Sequence, residues 1–166
     1  MRLHTRSAKM KQKTHTEHKV NGQVIDGLSH LLADTYLLYL KTQNFHWNVT
    51  GPHFSQYHKL LEHQYEALSE AVDVLAERIR ALNAPAPASF AKFLMLTSLN
   101  EAGKMTSADE MIKELLHDHE MVAATIAKLF NVAEKCNDQV TLDLFIVRKA
   151  EHDKTAWMLR STLTGH

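Results

Sequence analysis

The residues best suited to chemistry lie along one helical stretch between positions 58 and 77. Its imidazole and carboxylate side chains at helical spacing are His58, Glu62, Glu66, Glu70, Asp73 and Glu77. At about 100° per residue they share an arc of roughly 120°, opposite the apolar face. One interpretation is the solvated side of an amphipathic helix. The alternative is a metal site, because imidazole and carboxylate ligands suit iron, manganese or zinc, and carboxylate-rich sites suit redox cycling of iron.

The spacing of these residues decides how such a site would be built. His58 and Glu62 are one turn apart, as are Asp73 and Glu77, so each pair can hold an ion. Glu62 and Asp73 are separated by roughly 16 Å of helix, too far for one metal. A second, antiparallel copy would place 58 opposite 77 and 62 opposite 73, around a two-fold axis near residues 67 and 68. The spacing therefore allows two identical sites per dimer, each shared between two chains.

A di-iron site inside a single bundle is the competing arrangement. It normally takes a Glu-x-x-His motif on each of two helices. The sequence offers one such motif, Glu114 to His117, and none on the predicted fourth helix, so we do not expect this arrangement. The neighbouring run 117–120 (HDHE) is interpreted as a solvated helix face, because adjacent residues on a helix point about 100° apart.

Four long helices would position these residues. The predicted segments run from Val20 to Gly51, from Pro52 to Leu82, from a capping box at Ser107 and Glu110 to Cys136, and from Asn137 or Asp138 to Leu163. The long connection 83–106 contains the apolar piece 90–99, which predicts a short helix of its own. This pattern predicts an all-α, ferritin-like four-helix bundle with an extra short helix in the crossover between helices 2 and 3.

Composition and charge divide the chain in two. At 166 residues it fits one domain, and the single cysteine excludes an internal disulfide and suits a reducing cytoplasm. No secretory signal or membrane span is expected. Residues 1–19 are predicted to be a flexible arm of charge +5, and residues 20–166 a bundle of charge −5. The basic residues of the arm are Arg2, Arg6, Lys9, Lys11, Lys13 and Lys19.

An ordered series of motifs carries a family resemblance. The run 44–51 (NFHWNVTG) is followed by Phe54, His58 and Glu62, and then by 73–79 (DVLAERI). This series resembles the signature of the Dps proteins, the DNA-binding proteins from starved cells, which are bacterial mini-ferritins. The resemblance extends over about residues 20–163 and includes the family's extra short helix.

The resemblance implies specific roles for individual residues. His46, His58 and Glu62 would bind iron from one subunit, and Asp73 and Glu77 from its two-fold mate. The family often has Asp where this chain has Glu62. Trp47 would pass an electron and limit the escape of radicals, the alternative being a core or interface aromatic.

The resemblance also implies an activity and an assembly. Fe²⁺ would be oxidised with hydrogen peroxide, and Fe³⁺ would be stored as an oxide inside a hollow, dodecameric homo-oligomer in the cytoplasm. Asp138 and Asp143 are similar to residues that line the family's three-fold pores, although capping of the fourth helix explains them equally well.

The arm raises a second function. Clustered Lys and Arg bind DNA non-specifically through phosphate contacts, and some family members use N-terminal tails in this way. The alternative function is a nucleoid-compacting, DNA-binding protein whose iron chemistry is secondary. A tail that only promotes solubility is the simpler explanation of the arm.

Overall fold

The fold is entirely helical over the residues that the computed structural model describes. The backbone is described for residues 3–104 and 107–163, and side-chain surroundings from residue 22 onward. The helices in these ranges are α1 (Leu3–Asn48), α2 (Phe54–Ala81), α3 (Phe90–Leu96), α4 (Ala108–Lys135) and α5 (Gln139–Leu163). The prediction of four long helices with a short helix in the crossover is confirmed.

Two helical hairpins form the bundle. The α1–α2 pair and the α4–α5 pair have the closest packing, and α1 also packs along α4, whereas α2 and α5 make few direct contacts. The short helix α3 lies against α1. Leucine, isoleucine and phenylalanine side chains at helical spacing fill the space between the hairpins, including Leu28, Leu31, Phe45, Leu61, Leu75, Ile112, Ile126 and Phe145. Burial of this apolar surface is the main stabilising contribution to the bundle.

Local sequence signals set the ends of the helices. Ser107 and Glu110 form the predicted capping box at the start of α4, each side chain bonding to the other residue's backbone N–H. Gly51 has a positive φ of 114° in the tight α1–α2 turn, a conformation that favours glycine. This turn brings the end of α1 beside the start of α2.

The start of α1 differs from the sequence prediction. The helix begins at Leu3, whereas we expect it from the sequence at Val20. Residues 1–21 contain no Pro or Gly, and ten of them are Lys, Arg, Met, Gln or Ala, which all favour helix. The side-chain surroundings of the arm lie outside the described residues, and its flexibility stays a prediction.

No helix within the described ranges is both long enough and apolar enough to cross a membrane.

Candidate metal centre

The α1–α2 turn brings two predicted ligands into direct contact. His46 lies in the last turn of α1 and His58 in the second turn of α2. Their rings are stacked, with centroids 3.8 Å apart and planes 18° from parallel. His46 is buried and His58 is half-buried. Although twelve residues separate them in the sequence, the hairpin makes them neighbours.

Hydrogen bonds fix the tautomer of both rings. The Nδ1 atom of His46 lies 2.9 Å from the backbone oxygen of His58, and the Nδ1 atom of His58 lies 2.9 Å from the backbone oxygen of His46. A carbonyl oxygen only accepts, so each Nδ1 must carry the hydrogen and donate it. In the neutral form of each ring, the Nε2 atom then keeps its lone pair. This is the form in which histidine binds a metal, with its second nitrogen held by a backbone carbonyl.

Aromatic side chains surround the histidine pair. The ring of Phe54 stacks on His58 at 5.0 Å, and the ring of Tyr65 meets His46 edge-on at 5.1 Å. The ring of Phe54 is itself exposed. Partial burial, and then the negative charges of Glu62 and Glu66, raise the pKa of the Tyr65 hydroxyl. The histidine pair is therefore packed against two aromatic rings, and Tyr65 lies near the carboxylates of Glu62 and Glu66.

The other predicted ligands lie farther along α2. Glu62 is half-buried one turn after His58, whereas Asp73 and Glu77 are exposed toward the far end of the helix. Within the described ranges, no three His, Cys, Asp or Glu side chains come together as a metal-binding cluster. One chain thus brings His46 and His58 together and leaves Asp73 and Glu77 apart from them.

Trp47 follows His46 directly and is 64% exposed. It is therefore not a core aromatic of the single chain. Its role in electron transfer and the alternative, an interface aromatic, both stay predictions.

The two predicted pore residues differ in their surroundings. Asp138 accepts hydrogen bonds from the backbone N–H of Thr141 (3.0 Å) and from Nη2 of Arg78 (2.7 Å). Partial burial tends to raise the pKa of Asp138, but the hydrogen bonds from Thr141 and Arg78 and the guanidinium charge hold it below its usual value. Asp138 thus caps α5, and the guanidinium of Arg78 offsets its negative charge. Asp143 is exposed. Their place in a pore stays a prediction.

The interior contains an ion-pair cluster that the sequence prediction missed. The buried ammonium of Lys41 on α1 lies 2.7 Å from carboxylate oxygens of both Glu114 and Asp118 on α4. The interpretation of residues 117–120 as a solvated face is wrong for Asp118 and His119, which are both buried. Asp118 is spaced three, seven and four residues from Leu115, Met111 and Val122, which places it on the same buried face of α4. This spacing was the sequence signal that could have predicted its burial.

Comparisons with known proteins agree with this architecture. The ferritin-like domain family matches residues 25–165. DNA protection during starvation protein 2 of Bacillus anthracis is 35% identical over 144 residues, which cover 87% of this chain and 99% of that protein.

Two solved structures are similar over nearly the whole chain. Dps from Thermosynechococcus elongatus superimposes with a TM-score of 0.88 at 26% identity, covering 91% of this chain and 96% of that one. A Dps protein of Vibrio cholerae, described as a member of a broad superfamily of ferritin-like diiron-carboxylate proteins, gives a TM-score of 0.85 at 26% identity and covers 88% and 92% of the two chains. Together with the family match and the helical architecture, these similarities place the chain in the Dps family of ferritin-like proteins.

Proposed function

We propose that the protein binds Fe²⁺ at sites shared between two copies of the chain and oxidises it with hydrogen peroxide. The observation that carries this proposal is the stacked pair of His46 and His58, whose tautomers leave both Nε2 lone pairs free. Two imidazoles, with the carboxylate of Glu62 one helical turn after His58, suit Fe²⁺. This set is half of a ligand sphere, so a second chain would supply the remainder.

The second half of each site would come from Asp73 and Glu77 of a two-fold-related α2. Both carboxylates are exposed, and neither makes an ion pair among the residues described here. The surface also carries many exposed apolar side chains, as expected of a chain that associates with copies of itself. They include Val74, Phe90, Leu94, Met95, Ile146 and Trp157. A homo-oligomer, and by family resemblance a dodecameric shell, would cover them.

The imidazoles, the carboxylates and Trp47 would each have a separate role in the oxidation of iron. The imidazoles hold Fe²⁺, and the carboxylates of Glu62, Asp73 and Glu77 favour the higher charge of Fe³⁺. Two Fe²⁺ ions give two electrons to one peroxide, which takes up two protons and leaves as two waters. Trp47 would supply an electron where one Fe²⁺ reacts alone, which limits the release of hydroxyl radical. Fe³⁺ would then pass to an oxide inside the shell.

Iron oxidation by stoichiometric peroxide tests the proposal directly. The assembled protein should oxidise about two Fe²⁺ per peroxide, and the iron should remain with the high-mass assembly on sizing. A monomeric preparation should oxidise Fe²⁺ slowly, because it holds half of each site. A monomer as fast as the assembly would contradict the shared site.

DNA binding through the basic arm is a separate proposal, supported by charge. The arm at +5 opposes a body at −5, so any affinity for DNA should come from the arm. Deleting residues 2–19 should abolish the retardation of DNA in a gel and leave iron oxidation unchanged. Each arm offers about five phosphate contacts, and many arms on one shell would bind together. Retardation by the full-length protein should fall steeply with added NaCl.

A matched variant separates charge from length in this experiment. Replacing the six arm Lys and Arg residues with Gln keeps the helix-forming character of the segment and removes its positive charge. This variant should lose DNA binding as completely as the deletion. If the truncated protein still retarded DNA at low salt, the body would be the binding surface and the arm proposal would be wrong.

A further inference from the structure

A cavity of about 340 Å³ lies between α2 and α5, where these helices make few direct contacts. Three of its lining side chains are polar and almost completely buried. Gln64 on α2 is 8% exposed, His119 on α4 is 2% exposed and His152 on α5 is 1% exposed. Arg148 on α5 also lines the cavity. Side chains from three helices therefore converge on one partly open cavity that is separate from the His46–His58 pair.

These side chains leave polar atoms unpaired inside the protein. Within the described part of the chain, the buried atoms without a hydrogen-bond partner are Oε1 and Nε2 of Gln64, Nε2 of His119, Nε2 of His152 and Nε of Arg148. Folded proteins rarely leave buried polar atoms unpaired. Here they all belong to residues that line the same cavity, so a polar molecule inside it would satisfy them together.

The contact between the two histidines fixes what they can offer to such a molecule. Their Nδ1 atoms are 2.9 Å apart, a hydrogen-bond distance that requires a hydrogen on one nitrogen and a lone pair on the other. Because a neutral imidazole carries one hydrogen, one Nε2 atom is then a donor and the other an acceptor. His119 and His152 therefore present one donor and one acceptor.

This arrangement disfavours a metal ion. Binding through both Nε2 atoms would place hydrogens on both Nδ1 atoms, which would then face each other at 2.9 Å. Binding through both Nδ1 atoms would leave two buried Nε2–H groups without the acceptor that metal-bound histidines normally have. The guanidinium of Arg148 adds repulsion toward a cation.

The electrostatics of the cavity favour an anion. Burial, and then the charge of Arg148, lowers the pKa of His119 to about 3. Burial, and then His119 and Arg148, lowers the pKa of His152 well below its ordinary value. The pair is therefore neutral at physiological pH. Arg148 and Lys154 outnumber Glu151 among the charged lining residues, which gives the cavity a net positive charge.

We propose that this cavity binds an oxyanion that still carries a proton, of which hydrogen phosphate is the simplest probe. Its unprotonated oxygens would accept hydrogen bonds from Arg148 Nε, from the Gln64 amide and from the imidazole N–H. Its hydroxyl would donate to the imidazole lone pair or to Gln64 Oε1. The bound ion would link α2, α4 and α5 where α2 and α5 touch little, and so stabilise the bundle.

Titration calorimetry on the assembled, full-length protein tests this site. Inorganic phosphate should bind with a dissociation constant of about 1 mM or tighter. Sulfate has the same shape but no hydroxyl at neutral pH, so it should bind at least about tenfold more weakly. Arg148→Met should weaken phosphate binding by about tenfold or more. Arg160 is an exposed arginine on the same helix, so Arg160→Met should leave phosphate binding unchanged.

A second variant covers the case in which Arg148→Met does not fold. Gln64→Glu nearly keeps the size of the side chain and places a negative charge against the anion, so phosphate binding should be lost. Phosphate should also raise the thermal midpoint of the wild-type protein and not that of either variant. Glycerol phosphate, compared with inorganic phosphate, shows whether the ligand is a free ion or a phosphate monoester.

Two results would overturn the proposal. Absence of binding at millimolar phosphate would mean that the cavity holds water alone. Equal binding of phosphate and sulfate, unaffected by Arg148→Met and Gln64→Glu, would mean an adventitious ion only. Iron oxidation by Arg148→Met should match that of the wild type in either case, so this test is independent of the proposed iron site.

Discussion

Mixing a His58→Ala protein with an Asp73→Ala protein is expected to recover part of the iron oxidation that each variant alone has lost. Each variant lacks one ligand in every site, and we expect a loss of about tenfold or more, since even changes beside the ligands cost about 10–100-fold. In a hybrid dimer, one site combines wild-type His58 with wild-type Asp73, and the other lacks both. Random reassociation should therefore recover about one quarter of the wild-type rate.

The decisive control mixes two variants from the same half of the site. His58→Ala and Glu62→Ala both alter the half that one chain supplies, so no hybrid of the two contains an intact site. That mixture should stay as inactive as its parents. If the first mixture also stayed inactive, although mass spectrometry showed hybrids, the antiparallel pairing of α2 helices would be wrong.

Helical periodicity and capping signals were sufficient to predict most of the fold. The apolar spacing within α1 and α2 and the Ser107–Glu110 box predicted the helices and one of their ends. The low apolar content of the arm was a poor guide to where α1 begins. Residues 3–19 are helical because many of them favour helix, whether or not they form an apolar face.

The candidate site was only partly predictable for a related reason. Spacing along α2 reveals which of its residues share a face, and so relates His58 to Glu62 and Asp73 to Glu77. It carries no information about a partner on α1. His46 is predicted as a ligand only through the family resemblance. Its ring stacks on His58 with the centroids 3.8 Å apart, and this contact depends on the geometry of the turn at Gly51.

Buried polar residues were the hardest to predict. Asp118 and His119 are polar residues at positions of an apolar stripe, and the run 117–120 is polar enough to resemble a solvent face. Their burial depends on partners more than thirty residues away in the sequence. Lys41 lies against Asp118, and His152 lies against His119. Periodicity detects a face, but it does not detect the side chain that neutralises a charge on it.

Lys41→Met is expected to lower the free energy of unfolding by about 3–5 kcal/mol at neutral pH, because it leaves a buried carboxylate without its partner. Burial raises the pKa of Asp118, and the hydrogen bond and charge of Lys41 oppose that shift. Without Lys41 the pKa of Asp118 should rise further. A carboxyl whose pKa is raised on folding favours the folded state when protonated, and loses this contribution as the pH rises through the folded pKa.

The destabilisation by Lys41→Met should therefore be largest at pH 7 and should shrink as the pH falls toward about 4, the ordinary range of an aspartate. Urea unfolding of variant and wild type, at one protomer concentration and several pH values, measures this difference.

Lys149→Met removes an exposed ion pair with Asp153 and should change stability by no more than about 1 kcal/mol. The double variant Lys41→Met with Asp118→Leu removes the buried pair altogether and should recover much of the lost stability, since Glu114 is partly exposed to water. A Lys41→Met protein as stable as the wild type at neutral pH would show that Asp118 does not need its lysine.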